Sequence, residues 1–479
     1  MTNGTASSEQ IPPRPPADLP HTLGALKASG QQPLPVKQEL RTNLIRRLRA
    51  GEALFPRVKG YDDTVLPQLV NALLGHQDII FLGERGQAKS RLVRSLTSLL
   101  DEWTPVLDGV EIPENPWAPI SAEGLALLAE AGDEAPIRWQ HRDERYAEKL
   151  ATPDITIADL IGEVDPIKVA EGRYLSDANT LHYGLIPRVN RGIFAINELP
   201  DLAERIQVGL LNVLEERDVQ IRGHRIRLAL DVFIVATANP EDYTNRGRII
   251  TPLKDRYGAQ IRTHYPPTIE QEIEIIEQEA EVCELEGGAV AVPLFMKEII
   301  AELTHQARRS PDISQRSGVS VRASIANYEV LVANAFRRAL RLGETEVVPR
   351  ISDLDFIAPS FQGKVEFEVM EDGQEDKITA RLIQKAIKTV FDRRYDVKDL
   401  ESIALAFSDG LNVDTGEALR LESYQEILDS IPALWDIFPD ADATSPGIRA
   451  AIVEFVLEGL HLHQLLNKYN VAGQSTYSA

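Results

Sequence analysis

The stretch that decides the fold is Gly83-Glu-Arg-Gly-Gln-Ala-Lys-Ser90. It follows the short apolar run Asp78-Ile-Ile-Phe-Leu82 and leads into a helical pattern that extends from Lys89 to Leu100. A strand, a glycine-containing turn and a helix in this order form the context of a phosphate-binding loop. The sequence therefore predicts a site for a nucleoside triphosphate, with ATP as the expected ligand.

The loop departs from the usual pattern G-x-x-x-x-G-K-[ST] at one position, because Ala88 stands where the second glycine is expected. Gly86 is expected to keep part of the lost backbone freedom. Lys89 is predicted to reach the β- and γ-phosphates and Ser90 to place its hydroxyl on Mg²⁺, while backbone amides point at the phosphates. The alternative is a plain strand-to-helix turn with a surface lysine. The predicted nucleotide-binding residues of the loop are Gly83, Glu84, Arg85, Gly86, Gln87, Ala88, Lys89 and Ser90.

Two further apolar runs end in polar residues, as strands of a buried sheet would at its edge. Gly192-Ile-Phe-Ala-Ile196 is followed by Asn197-Glu198, and Val232-Phe-Ile-Val-Ala-Thr237 is followed by Ala238-Asn239-Pro240. Apolar strands that alternate with helical segments predict a parallel sheet covered on both faces. The predicted fold class is therefore α/β, with a three-layer parallel-sheet core followed by helical regions.

The polar residues at these strand ends are candidates for the chemistry. Glu198 is predicted to act as the catalytic base that polarises the attacking water, and Asn239 to hold that water beside the γ-phosphate. Asn197 stands where an aspartate usually assists Mg²⁺, and its neutral amide oxygen would hold the hydration shell of the metal more weakly. The alternative for Glu198 is an acid favoured at a helix start, whereas an Asn-Pro turn at Asn239 is compatible with its predicted role.

Composition shifts and periodicity divide the chain into four regions. Residues rich in Pro, Ser, Gly and Gln at the start are predicted to form a flexible tail. Residues 101–150 contain several prolines and then a charged stretch with a helical pattern. Asp218–Asp231 alternates and turns at Gly223, which predicts a β-hairpin. The predicted domains are a tail at 1–35, an α/β core at 36–265, a helical lid at 266–350 and a mainly helical C-terminal domain at 351–479.

The net charge and the number of cysteines argue against several classes of function. A net charge of −22 and a pI near 4.9 disfavour broad contact with nucleic acid or with an anionic membrane. The lone Cys283 cannot form an internal disulfide, so the oxidised secretory class is not expected. The sequence shows no signal peptide and no run of roughly 18 apolar residues, so a cytoplasmic protein that does not enter the membrane is expected.

The loop Gly83–Ser90 is followed along the chain by the strand ends at Asn197-Glu198 and at Asn239. These three motifs, in this order, resemble those of AAA+ ATPases. Within that class the chain resembles the ATPase subunit of magnesium chelatase and its MoxR relatives, a clade with an insert in helix 2. The resemblance extends from Val58 to Arg322. It includes Leu185-Ile-Pro-Arg-Val-Asn-Arg-Gly192, Ala238-Asn-Pro-Glu-Asp242 and Leu253-Lys-Asp-Arg-Tyr-Gly258. It implies a P-loop AAA+ core followed by a helical lid domain.

The resemblance also implies a ring, with a hexamer as the expected size and ATP at the interfaces between subunits. Arg256 matches the arginine finger that reaches a neighbour's γ-phosphate, and Arg322 matches the sensor arginine of the lid. Both fit the chemistry, because planar donors that are always charged stabilise a transferring phosphoryl group. The alternative for each arginine is a surface ion pair. The hairpin at Asp218–Asp231 matches the helix-2 insert, which would face the pore or a partner.

Relatives in this clade commonly act with a partner that bears a von Willebrand factor A domain, and this sequence shows no such domain of its own. The resemblance therefore implies an ATP-driven motor that remodels, or inserts metal into, a partner protein. Ala88 and Asn197 keep a second hypothesis open, a nucleotide-gated scaffold with little or no hydrolysis. A third hypothesis is a transcription activator of the sigma-54 type. The sequence shows neither a helix-turn-helix signature nor a loop for contacting sigma factor, and its acidic charge disfavours DNA.

Overall fold

The computed structural model describes residues 14–164, 181–215, 218–220, 227–239, 247–283, 289–368, 373–438, 444–471 and 474–479. The chain separates into two compact units. Of the described residues, the first unit contains those within 14–84 and 88–263, and the second contains 85–87 and those within 264–479.

The first unit alternates helices and strands along the chain, as an α/β fold requires. Its α-helices are α1 (Leu23–Ala28), α2 (Val36–Ala50), α3 (Val65–Leu74), α4 (Lys89–Ser95), α5 (Ala122–Ala131), α6 (Ile157–Leu160), α7 (Leu185–Arg188), α8 (Glu204–Glu215) and α9 (Thr251–Arg256). Short 3₁₀-helices lie at Leu96–Leu99, Gly132–Glu134, Arg142–Arg145 and Leu199–Asp201. Its strands are β1 (Ile79–Leu82), β2 (Trp103–Leu107), β3 (Ile137–His141), β4 (Tyr146–Leu150), β5 (Gly162–Val164), β6 (Leu181–Tyr183), β7 (Gly192–Asn197), β8 (Asp218–Gln220), β9 (Arg227–Ala229), β10 (Val232–Ala238) and β11 (Ala259–Arg262).

Five of these strands form one sheet in the order β11-β1-β10-β7-β4, and all four neighbouring pairs are parallel. Leu82 of β1 lies opposite Ala238 of β10, and Ala236 of β10 lies opposite Ile196 of β7. The carboxyl ends of these three strands therefore meet at one edge of the sheet. The predicted α/β class with a parallel sheet is confirmed.

Both faces of the sheet are buried, and β1 contributes to a different core on each face. Ile79 and Phe81 pack in a cluster with residues of α2, α3 and α4, whereas Ile80 and Leu82 pack in a cluster with residues of α8. Successive side chains of a strand point to opposite faces, so a run that is apolar throughout requires a cover on each side. The first unit is therefore built of three layers, with helices on both faces of the sheet.

Part of the predicted flexible tail is folded. Within residues 1–35 the structure contains α1, whose Leu23 and Leu26 are buried in a cluster with Trp139 of β3. The Trp139 indole N–H also donates a hydrogen bond to the carbonyl oxygen of Pro20 at 2.8 Å. A helix of six residues is too short to show an apolar period in the sequence, and burial against a distant strand stabilises it.

The region 101–150 also differs from the charged helical stretch that its pattern indicates. It contains β2 and β3, which pair antiparallel, and then β4, which forms one edge of the parallel sheet beside β7. None of the five residues of β4 is fully buried. A polar edge strand carries little of the apolar signal that reveals central strands, so the sequence pattern did not reveal β4.

The two strands of the hairpin predicted at Asp218–Asp231 are confirmed. β8 and β9 pair antiparallel, with Asp218 opposite Ala229. The turn that was expected at Gly223 lies outside the described residues.

The second unit is mainly helical, as predicted. Its α-helices are α10 (Ile269–Glu279), α11 (Leu294–Ala307), α12 (Val321–Leu342), α13 (Ala358–Gln362), α14 (Gln374–Arg394), α15 (Glu401–Ala406), α16 (Leu421–Ser430) and α17 (Pro446–Leu462). Its 3₁₀-helices lie at Ile351–Ile357, Val397–Leu400, Phe407–Asp409 and Pro432–Ile437, and its strands are β12 (Ala289–Val290), β13 (Glu346–Val347), β14 (Val413–Gly416), β15 (Asn467–Val471) and β16 (Gln474–Ser478). β14, β16 and β15 form a small antiparallel sheet in that order.

One hydrophobic core extends through the second unit. It includes Ile299 of α11, Leu331 of α12, Phe391 of α14 and Phe455 of α17, so residues on both sides of the predicted boundary at residue 350 share it. The Phe295 and Phe455 rings stack with 4.4 Å between their centroids. Across the described helices, none combines the length and the apolar character that crossing a membrane would need.

A buried ion pair attaches α2 to the rest of the first unit. Arg145 donates to both carboxylate oxygens of Glu39, at 2.7 and 2.6 Å, and both side chains are almost fully buried. Arg145 also donates to the carbonyl oxygen of Arg191 and to the hydroxyl of Thr104. An arginine that lost its carboxylate here would be left as a buried charge without compensation. The pair is therefore one of the contacts that hold α2 in place.

Glu39→Gln should lower the free energy of unfolding of the first unit by about 3–5 kcal/mol, because Arg145 would keep its charge and lose its partner. Urea unfolding followed by circular dichroism measures the change. The matched control is Glu52→Gln, since Glu52 is 56% exposed and lies 3.7 Å from Arg47, and this variant should shift the midpoint little. Equal midpoints for the two variants would contradict the structural role of Glu39.

Candidate nucleotide-binding site

The predicted phosphate loop begins where β1 ends, in the interior of the sheet. The Gly83 N–H donates to the carbonyl oxygen of Ala238 at 3.1 Å, so the pairing of β1 with β10 continues into the loop. Lys89 opens α4 and is only 7% exposed. Its ammonium donates to the carbonyl oxygens of Gly83 and, at 2.8 Å, of Glu84. The lysine is thus held within the loop, where phosphate oxygens could replace these carbonyl oxygens.

Ala88 adopts a backbone conformation that favours glycine. Its φ is 52° and its ψ is 17°, which lie in the left-handed region directly before α4. An L-residue in this region costs roughly 1–2 kcal/mol. A strained alanine therefore occupies the position of the missing glycine, and Gly86, with a φ of 75°, adopts a second left-handed conformation two residues earlier.

The tip of the loop, Arg85–Gln87, belongs to the second unit and is held there by hydrogen bonding. The Tyr265 hydroxyl donates to the carbonyl oxygen of Arg85 at 2.9 Å. The Arg308 guanidinium lies over the Tyr265 ring, 4.3 Å from its centroid, and Arg308 in turn donates to the buried carboxylate of Glu272 at 2.7 and 3.0 Å. Stacking on a cation restricts the tyrosine ring, so its hydroxyl stays directed at the loop backbone.

Gly86 contacts the residue that caps α12. A Cβ at Gly86 would lie 1.8 Å from Ser320 Oγ, so any larger residue would displace this serine. Ser320 is the N-cap of α12, and its Oγ accepts a hydrogen bond from the Arg322 N–H at 3.1 Å. Arg322, the predicted sensor, therefore lies in the first turn of a helix whose cap touches the loop tip, and its side chain is exposed. Its role stays a prediction.

Asn197, Glu198 and Asn239 lie where the loop begins, at the carboxyl ends of the strands. Asn197 ends β7, Glu198 follows it, and Asn239 follows β10. The Thr237 hydroxyl links two of them, since it donates to Asn197 Oδ1 at 3.2 Å and accepts from the Glu198 N–H at 3.2 Å. Glu198 has a φ of 53°, so its backbone is left-handed as well. Asn239 is 3% exposed. The structure thus brings these predicted residues to the ends of neighbouring strands, and their roles in catalysis stay predictions.

Glu148 is a candidate residue that the sequence pattern did not reveal. Its carboxylate accepts hydrogen bonds from Arg94 of α4 at 2.8 and 3.1 Å, from the Tyr146 hydroxyl at 2.8 Å, and from the side-chain amide of Asn197. β4 pairs with β7 so that Glu148 lies opposite Ala195, on the sheet face that also carries Asn197. The one signal in the sequence is the alternation Tyr-Ala-Glu, and the charges around it favoured a helix instead.

The surroundings of Glu148 keep its carboxyl ionised. Burial alone would raise the pKa of Glu148, but hydrogen bonds from Arg94 and Tyr146 and the charge of Arg94 outweigh burial and lower it below its usual value. Burial and the hydrogen bond to Glu148 raise the pKa of the Tyr146 hydroxyl, so Tyr146 remains a donor at neutral pH. Glu148 therefore presents a full negative charge to the Asn197 amide.

Arg256, the predicted finger, forms an ion pair within the first unit. Its Nε donates to Glu215 at 2.7 Å and its Nη1 donates to the carbonyl oxygen of Pro252 at 2.8 Å. The side chain is 26% exposed. This ion pair is the alternative to a finger role for Arg256, and it leaves the guanidinium at the surface of the unit. The role of Arg256 towards a neighbouring subunit stays a prediction.

The oxygen atoms at the site fit a magnesium ion that is held mainly by nucleotide and water. Mg²⁺ prefers oxygen ligands and keeps several waters when it binds together with phosphates. Ser90 presents an exposed hydroxyl in the first turn of α4, and Asn197 contributes an amide oxygen. Among the residues that the structure describes, no group of three or more His, Cys, Asp or Glu could hold a metal alone. The oxygen atoms of Ser90 and Asn197 are thus of the kind that Mg²⁺ prefers.

Comparison with known proteins finds a family match over part of the chain and similarity to subunits of magnesium chelatase. The family described as Sigma-54 interaction domain matches residues 169–253. The magnesium-chelatase 38 kDa subunit of Cereibacter sphaeroides is 28% identical over 210 residues, which cover 41% of this chain and 54% of that subunit. The magnesium-chelatase subunit ChlI of Nostoc is 27% identical over 241 residues, which cover 47% of this chain and 58% of that subunit. Among solved structures, one chain from a complex between subunits BchI and BchD of magnesium chelatase aligns with this protein. The alignment covers 67% of this chain and 98% of that chain, at 19% identity and a TM-score of 0.35.

The chain has a parallel α/β core with a glycine-containing loop after β1, and its sequence is similar to those of AAA+ ATPases. Within that class it is similar to the ATPase subunits of magnesium chelatase, which confirms the resemblance that the sequence motifs indicate. The relationship to MoxR proteins stays a prediction. The chain spans a little more than half the length of these curated relatives.

Ala88→Gly should raise the free energy of unfolding by up to about 1 kcal/mol, because the left-handed strain of alanine exceeds the entropy that glycine loses on folding. Ala88→Val should lower it, since a β-branched residue is a genuine outlier at a φ of 52°. Thermal unfolding of the wild type and the two variants measures both effects. A valine variant as stable as the glycine variant would argue against the left-handed geometry.

Proposed function

We propose that the protein is an ATPase that binds ATP and Mg²⁺ through Gly83–Ser90 and couples hydrolysis to remodelling of, or metal insertion into, a partner protein. The observation that carries this proposal is the position of Lys89 in a loop that continues β1, with Glu198 and Asn239 at the ends of neighbouring parallel strands. The similarity to magnesium-chelatase ATPase subunits supports the same function.

Each residue of the site has a distinct part in this proposal. Lys89 exchanges two loop carbonyl oxygens for β- and γ-phosphate oxygens, and Ser90 offers its hydroxyl to the metal. Glu198 polarises the attacking water, and Asn239 holds that water in line with the γ-phosphate. Bound Mg²⁺ would neutralise charge that develops on the phosphate oxygens.

The proposal includes assembly into a ring, with six subunits as the family resemblance implies. Arg256 would exchange Glu215 for the γ-phosphate held by the next subunit, because a guanidinium binds carboxylate and phosphate oxygens with the same geometry. Arg322 would contact the nucleotide from the lid. The partner is proposed to carry a von Willebrand factor A domain, and the lone Cys283 favours the cytoplasm as the place of action.

A second candidate function is a nucleotide-gated scaffold that binds ATP with little or no hydrolysis. The observation that favours it is the side chain of Asn197, whose amide is hydrogen-bonded at both ends, to Glu148 and to Thr237, and carries no charge for the metal. Calorimetry that detects tight ATP binding, together with no phosphate release in the presence of the partner, would favour the scaffold over the ATPase.

A third candidate is a transcription activator of the sigma-54 type, which the family match at residues 169–253 favours. The net charge of −22 opposes it, because binding to DNA depends on neutralising phosphates with Lys and Arg. Retention of the purified protein on duplex DNA at low salt would support this candidate.

Lys89→Ala should weaken ATP binding by about 10- to 100-fold, since a charge-assisted hydrogen bond contributes about 1.5–3 kcal/mol. Titration calorimetry measures the affinity, and release of phosphate from Mg²⁺·ATP measures turnover. The control is Lys27→Ala, because Lys27 is 48% exposed and pairs with Asp133. Wild-type affinity in the Lys89→Ala protein would remove the basis for the site, and wild-type phosphate release no higher than that of this variant would rule out the motor.

Mixing two inactive variants should restore phosphate release if the ring places Arg256 against a neighbour's nucleotide. Glu198→Gln should bind ATP but hydrolyse it about 10²- to 10⁴-fold more slowly, because the water loses its base. Arg256→Ala should also bind ATP and turn over slowly. In a mixed ring, a subunit with intact Glu198 can meet a neighbour with intact Arg256, so activity should return. A mixture no more active than either variant alone would contradict a shared site.

A further inference from the structure

The contacts of Asn197 explain why an amide stands where the resemblance predicts an aspartate. Its Nδ2 donates to Glu148, and its Oδ1 accepts from the Thr237 hydroxyl at 3.2 Å. An aspartate could accept from Thr237 but could not donate to Glu148, and two carboxylates in contact disfavour each other's ionisation. The amide is therefore the side chain that complements a carboxylate on the neighbouring strand.

Glu148 is itself fixed by donors from two elements. Arg94 donates two N–H groups to it at 2.8 and 3.1 Å, and the Tyr146 hydroxyl donates at 2.8 Å. Hydrogen bonds with an ionised partner are roughly twice as strong as neutral ones. Arg94 lies on α4, the helix that Lys89 begins, so the Glu148 carboxylate connects the helix of the phosphate loop to the sheet.

Glu148, Asn197 and Thr237 form a row of hydrogen bonds. Thr237 extends this row to the backbone of Glu198. A hydroxyl has one proton, so donation to Asn197 leaves its lone pairs to accept the Glu198 N–H at 3.2 Å. Glu198 is left-handed, with a φ of 53°, and a residue in that conformation persists only where its surroundings hold it. The hydrogen bond from its N–H is one such restraint.

We propose that Glu148 is a positioning residue for Glu198. Glu148 holds the Asn197 amide in one orientation, the amide oxygen orients the Thr237 hydroxyl, and this hydroxyl holds the backbone that aims the Glu198 carboxylate. The inference rests on the proposed function, in which Glu198 polarises the attacking water. It adds a carboxylate outside the recognised motifs, and through Arg94 it couples the helix of the phosphate loop to that base.

An exchange of amide and carboxylate tests the proposal. Asn197→Asp places two carboxylates in contact, so kcat should fall on the order of 10²-fold while the affinity for ATP stays within about threefold, because a small misplacement of a catalytic group slows chemistry more than binding. In the double variant Glu148→Gln with Asn197→Asp, a donor again faces an acceptor across the two strands. Most of the kcat lost in Asn197→Asp should therefore return, with Glu148→Gln alone as the fourth corner of the cycle.

Amide hydrogen exchange supplies a readout that needs no hydrolysis. In Glu148→Ala the row loses its fixed acceptor, so exchange in peptides that contain the Glu198 amide should speed up on the order of tenfold. The matched control is Glu144→Ala, because Glu144 precedes the same strand, is 41% exposed and pairs with Arg138. This control should leave the exchange and the activity unchanged.

The outcomes separate the positioning role from the function on which it rests. Suppose the wild type hydrolyses ATP, the double variant is no more active than Asn197→Asp, and Glu148→Ala leaves the exchange unchanged. The positioning role is then overturned and the proposed function stands. If the wild type releases no phosphate, the ATPase proposal falls. Faster exchange in Glu148→Ala would still support the row as the restraint on Glu198, and unchanged exchange would overturn it.

Discussion

Burial of a parallel sheet on both faces is the constraint from which the candidate site follows. Neighbouring strands run in the same direction, so β1, β7 and β10 deliver the phosphate loop, Glu198 and Asn239 to one edge. The apolar side chains that alternate between the two cores fix the order and register of these strands. Polar groups at the edge are therefore placed by hydrophobic packing in the body of the sheet.

The parts of the fold that could be predicted from the sequence are those with a strong local signal. The central strands are apolar runs, and the spacing of glycine and lysine marks the loop, so both are visible without knowledge of distant contacts. The edge strand β4 is polar and half-exposed, and α1 depends on Trp139, more than a hundred residues away, for its burial. The contact of Glu148 with Asn197 could not be predicted from the sequence for the same reason, because it depends on which residue of β7 lies beside Glu148.

The two departures from the usual motifs are accommodated in different ways. Ala88 keeps the left-handed backbone that glycine would adopt, so the shape of the loop is retained at a cost in conformational energy. Asn197 is matched by a carboxylate on the neighbouring strand, so a negative charge remains near this strand end although its position has changed. The first departure concerns stability, and the second concerns the charge around the proposed base and metal.

The central claim is that Lys89 and Ser90 hold the phosphates and the metal of ATP. A high-resolution structure with Mg²⁺ and an ATP analogue that cannot be hydrolysed tests it most directly. The expected result is that Lys89 Nζ leaves the carbonyl oxygens of Gly83 and Glu84 and lies about 3 Å from β- and γ-phosphate oxygens. Ser90 Oγ should then lie roughly 2.1 Å from the metal. A nucleotide bound elsewhere, with Lys89 still donating to both carbonyl oxygens, would contradict the claim.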